Sequence, residues 1–153
     1  MTILEYYADS YQDKSTKMAF TYHIESNGYV AHVVGKKMGS LDSARDTFAD
    51  LIVNPHLRRP FGLLIDVRAL SNIPSRDEAD SISKFAAVGD TEKHFTALLV
   101  ERGVQYGMAR MIQLFSELQG AQIDVFIDDH SARYWLWEQL AFATRSNFTD
   151  ENQ

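Results

Sequence analysis

Cysteine is absent from this chain of 153 residues. Its absence excludes disulfides, thiol nucleophiles and any zinc or iron–sulfur site ligated by cysteine, and it fits a reducing compartment, so a cytoplasmic location is expected. Proline is scarce: Pro55, Pro60 and Pro74 all fall between periodic segments, and no proline-rich linker or internal repeat divides the chain. No stretch approaches the roughly 18 apolar residues of a membrane span. The opening MTILEYYADS lacks a basic segment followed by an apolar one, so neither insertion nor export is expected. Positive charge is thin as well. The 15 basic residues against 21 acidic ones leave a formal charge of -6, and only Lys36, Lys37 and Arg58, Arg59 are adjacent pairs. A nucleic-acid partner is therefore not expected.

The length suits one domain with a core large enough to need no staples. Residues 18–25 and 29–35 are β-branched and aromatic, and the Ser-Asn-Gly between them is hairpin chemistry, because Asn27 and Gly28 both tolerate positive φ. Three continuous apolar runs, FGLLIDV (61–67), FTALLV (95–100) and IDVFI (123–127), have the character of strands covered on both faces. Helical periodicity lies between and after them. Leu41, Ala44, Phe48, Leu51 and Ile52 mark a first helix, and Ala79, Ile82 and Ala86 a second. Val104, Met108, Met111, Ile112, Phe115 and Leu118 mark a third, and Ala132, Trp135, Leu136, Leu140 and Ala143 a fourth.

The order ββαβαβαβα predicts an α/β fold: a mixed, mainly parallel five-stranded sheet with an N-terminal β-hairpin and four helices. The whole chain, 1–153, reads as a single domain with its core at about 17–143, an N-terminal arm over 1–16 and a tail over 146–153.

The hairpin, LLIDVRAL, the strand followed by GMARMIQLF, and VFIDDHSARYWL together resemble the bacterial STAS-like proteins, which share the fold of sporulation anti-sigma-factor antagonists. The resemblance covers about residues 18–140 and implies a regulatory or interaction module more than an activity. In the antagonists themselves, the loop after the strand equivalent to LLID carries Asp-Ser-Ser-Gly, whose second serine is phosphorylated. Here that loop reads ALSNIPSRDEA, with Ser71 and Ser75 but no Ser-Gly step. The candidate loop site is accordingly Asp66, Arg68, Ser71 and Ser75.

Each candidate has a plainer reading beside it. Ser75 with Glu78 has the spacing of a capping box, which explains the pair without a phosphate. Gly103 to Gly107, with Arg102 or Arg110, could bring amides to an anion, but the spacing is neither a Walker loop nor a dinucleotide fingerprint. Asp66, Asp128 and Asp129 have the chemistry to hold a divalent cation, yet Asp128 or Asp129 is more simply the N-cap of the last helix. If the hairpin turn is the two-residue Asn27–Gly28 type, His23 faces His32. Two imidazoles so placed could share a metal ion, with Glu25 the one third ligand in view. Their neighbours Thr21, Val30 and Val34 suggest a half-buried sheet face, and the pair is read as structural. No H-E-x-x-H, G-x-S-x-G or other nucleophile context occurs, so no catalytic residue, metal or cofactor is expected and the chain is read as non-enzymatic.

On the last helix, Tyr134, Trp137 and Ala141 fall opposite the core stripe. Tyr134 and Trp137 are the candidate interface, to be covered by a protein partner, by a second copy in a homodimer, or by the arm with Tyr6, Tyr7 and Tyr11. The expected function is a regulatory or protein-interaction module. The alternative is a carrier of a lipid or other apolar small molecule, a role that the STAS-like fold's grouping with CRAL-TRIO domains brings in, with Phe85, Met108, Met111 and Phe115 lining a pocket.

Overall fold

The five apolar segments form five strands, and the one-sided helices pack on both faces of the sheet they make. The structure, a computed structural model, describes residues 20–25, 27–35, 41–70 and 94–151. In chain order the elements are β1 (Phe20–Ile24), β2 (Val30–Gly35), α1 (Leu41–Ile52), β3 (Phe61–Asp66), β4 (His94–Leu99), α2 (Val104–Leu118), β5 (Ile123–Phe126) and α3 (Asp129–Glu151). The expected second helix at Ala79, Ile82 and Ala86, the arm over 1–16 and the Ser75–Glu78 capping box lie outside the described residues. α3 runs on to Glu151, past Arg145, where the apolar periodicity fades and a tail is expected from sequence.

The sheet is mixed, with strand order β1-β2-β3-β4-β5. β1 and β2 are antiparallel; β2 with β3, β3 with β4 and β4 with β5 are parallel. His23 pairs with His32, the register expected from the sequence. The turn that sets it differs. Glu25 N–H donates to the Val30 carbonyl and Gly28 N–H to the Glu25 carbonyl, so the loop is longer than two residues. Gly28 alone takes positive φ (79°), whereas Asn27 does not, because its side-chain Oδ1 instead accepts from Tyr29 N–H at 2.8 Å. A Cβ at Gly28 would also stand 2.9 Å from the His56 carbonyl oxygen, so space and conformation both require glycine there.

Alternation along β3 explains the layering. Phe61, Leu63 and Ile65 face α1 and α2; Gly62 and Leu64 face α3. α1 closes one end of the first face with Leu51, Phe48 and Ile52 against Ala31, Val33, Phe61 and Leu63. α2 closes the other with Ala109 against Leu98, Val100 and Val125. Both helices serve crossovers that step the same way along the sheet, so one handedness places them on one face. α3 crosses the opposite face, burying Ala132, Leu136 and Leu140 against Leu64, Phe95, Ala97 and Leu99. A Cβ at Gly62 would lie 3.0 Å from Leu136 Cδ2, so the missing side chain lets α3 seat closely.

The buried stripe of α2 is rotated from the one read off the sequence. Ala109, Ile112, Gln113 and Ser116 are buried, while Val104 and Leu118 are exposed and Met108, Met111 and Phe115 half-buried. Small residues bring the helix close to β5, and the buried amide of Gln113 is satisfied. It donates to the Ile123 carbonyl at 3.1 Å and to Glu117 at 2.9 Å, and accepts from Arg110 at 2.6 Å. Ser116 returns its hydroxyl to the Ile112 carbonyl at 2.7 Å.

Candidate functional site

Pleating sends Val30 and His32 of β2 to the α3 side of the sheet, and register places His23 of β1 on that same side. The two rings meet edge to face, with centroids 5.1 Å apart and planes at 68°. His23 is exposed and His32 half-buried. Burial above all, then the Arg133 and His23 charges, holds the His32 imidazole below the usual histidine range, and therefore neutral at pH 7. Its Nε2 is shielded from solvent and has no hydrogen-bond partner among the described residues. Glu25 follows β1 directly. Ligand-type atoms of His23, Glu25 and His32 all lie within 4.8 Å of one another.

Arg133 closes this strip from the α3 side. Its guanidinium donates through Nη1 to Glu25 and through Nε to Asp129 Oδ2, the latter at 2.8 Å. Burial disfavours its charge, but the two carboxylates outweigh that cost and raise its pKa further. Asp129 and Arg133 stand one helical turn apart, a spacing visible in the sequence. The long-range link to Glu25 is not visible there.

Of the candidate loop site, Asp66 and Arg68 are brought together. Asp66 Oδ1 accepts from Arg68 N–H and Nε, each at 3.1 Å, and Oδ2 accepts from Nη2 at 2.9 Å. Burial would raise the Asp66 carboxyl, but these bonds and the Arg68 charge hold it below the usual carboxylate range. Ser71 and Ser75 lie outside the described residues.

Asp66, Asp128 and Asp129 form no cation-holding group among the described residues. Asp66 is tied to Arg68 and Asp129 to Arg133. Asp128 caps α3, its Oδ1 accepting from Ser131 N–H at 2.8 Å. The Gly103 loop is equally engaged. Glu101 N–H donates to Gln105 Oε1 at 2.6 Å, and Gln105 Nε2 to the Val67 carbonyl at 2.8 Å, while Gly107 sits inside α2. Gln105 thereby ties the loops after β3 and β4 together.

A second surface lies on the outer side of α3. Tyr134 is 62% exposed, Trp137 42% and Phe142 73%, and Ala141 is exposed between them. Tyr6, Tyr7 and Tyr11, which could cover it, lie outside the described residues, as does Phe85 of the expected apolar pocket. Elsewhere, an open groove of about 400 Å³ runs below the hairpin turn, bounded by Glu25, Asn27, Gly28, Pro55, His56 and Arg58. Its lining is mainly polar.

No protein-family model, curated protein or solved structure matches this chain. The fold therefore defines its class: an α/β domain built on a five-stranded mixed sheet. No helix among the described residues is long and apolar enough to cross a membrane.

Proposed function

We propose that the chain is a non-enzymatic, STAS-like regulatory module of the bacterial cytoplasm that acts by docking protein on the outer face of α3, a second copy of itself being the first occupant. The parallel pairing of β3 with β4 requires a crossover connection of about a dozen residues or more between them. The observation that carries the reading is the exposed Tyr134–Trp137 pair. Two large rings on one helix face cost little conformational entropy to bury and are enriched at interface centres. Ala141, one turn further along, has no side chain to hold a facing helix away. An isologous pairing of this face with itself closes on a dimer, the commonest oligomer.

The test is sedimentation over a concentration series. Wild type is expected to pass from monomer to dimer, and Tyr134→Ser with Trp137→Ser to stay monomeric with an unchanged circular dichroism spectrum. A wild type that stays monomeric throughout, or a variant that dimerises equally well, overturns self-docking on this face.

A further inference from the structure

We propose that His23, Glu25 and His32 bind a divalent transition-metal ion of the zinc class, leaving one coordination position open. The inference is independent of docking on the outward face of α3, since it concerns the β1–β2 edge of the sheet on the side that α3 packs against.

Three observations converge. First, the donor set is spatially gathered: two imidazoles and a carboxylate have their ligand atoms within 4.8 Å of one another. Zinc holds such donors at about 2.0–2.2 Å, so tetrahedral ligands stand roughly 3.4 Å apart. Closing the set takes side-chain movement of up to about 1.4 Å, to which the exposed His23 can contribute by rotation. The backbone need not move, because the register of β1 on β2 already faces the two histidines.

Second, His32 Nε2 is buried without a partner among the described residues. Buried polar side-chain atoms are satisfied in the large majority of cases, and an orphaned one calls for an explanation such as an ion or water. Third, Glu25 is already oriented. Arg133 takes one of its oxygens and is itself anchored by Asp129, a chain of the kind that steadies carboxylates around metals from behind. Around the cluster the charges of Asp66 and Asp129 are balanced by those of Arg68 and Arg133, so the charge offered to a cation is that of the Glu25 ligand itself.

The donor chemistry selects the metal. Two imidazoles disfavour magnesium and calcium, which prefer oxygen shells, and suit zinc, cobalt, nickel or copper. Three protein ligands leave the fourth position to water or to a donor from another molecule.

The full chain, untagged and stripped with a chelator, is titrated with Zn²⁺ by calorimetry and with Co²⁺ by visible absorption. One ion per chain is expected to bind saturably, with a weakening on the order of tenfold or more in His23→Ala and in Glu25→Gln. His130→Ala, which removes an exposed imidazole outside the cluster, is expected to leave binding unchanged. Imidazole nitrogen resonances of wild type report the site without any substitution: those of His23 and His32 should shift on Zn²⁺ addition. No saturable binding by wild type, binding that survives His23→Ala, or unshifted His23 and His32 resonances overturns the proposal.

Discussion

Asp66 is half-buried at the end of β3, and its ionised form is held by three bonds from a single residue two positions on. Because its pKa in the folded chain lies below the ordinary value of 3.8, the unfolded chain binds protons first on acidification. The stabilisation is complete above the ordinary value and is lost as pH falls through the lower, folded one. Melting temperature should therefore drop between about pH 5 and pH 2, and Asp66→Asn, which cannot ionise, should flatten that part of the profile while lowering stability at neutral pH. A variant with the same acid slope as wild type would show that the Asp66–Arg68 pairing contributes nothing to stability. The pairing itself is partly legible in the sequence, since an Asp two residues before an Arg at a strand end can fold back on it. Arg133 is a different case: its Glu25 partner is 108 positions away, and only the sheet brings them together.

At the scale of elements, α3 shows what a short-range pattern conveys. Ala132, Leu136 and Leu140 recur on one face and are buried, and the aspartates before them announce a cap that the structure assigns to Asp128. Removing that acceptor leaves the Ser131 amide unpaired at the positive end of a 23-residue helix. Asp128→Ala should lower the midpoint of denaturant unfolding, and Asp128→Asn, an equally good cap, should restore most of the loss. Equal stability of the alanine and asparagine variants would remove the cap from the account. α2 shows where the pattern misleads. Its methionines and Phe115 mark an apolar stripe, but the face nearest β5 is lined by Ala109, Gln113 and Ser116. A buried glutamine and serine look solvent-facing in a sequence: the partner of Gln113 on β5 appears only once the helix is docked, and Ser116 is satisfied within its own helix by the Ile112 carbonyl. The hairpin is intermediate: its register was legible from the turn residues, although the loop closes through Glu25 and Gly28 and not as a two-residue turn.

For the whole molecule, strands were the most legible feature because continuous apolar runs survive any choice of neighbours, whereas their arrangement into faces depends on which helix lies where. Val30, Leu64, Phe95, Ala97 and Leu99 pack against α3, and Leu136 is fully enclosed at the centre of that contact, above Gly62. Glycine at that position offers no side chain to move into a vacated space, and the paired strands on either side hold the backbone in place. Leu136→Ala should therefore keep most of its cavity and cost about 2–5 kcal/mol, toward the upper part of the range for buried leucines. Leu118→Ala, at a position 77% exposed, should change stability by no more than about 0.5 kcal/mol. Paired urea denaturation of the two variants separates them. A Leu136→Ala cost as small as that of Leu118→Ala would mean that α3 is not the lid of this face, and the layering on which both the strip beside Arg133 and the outward face of Trp137 depend would fall with it.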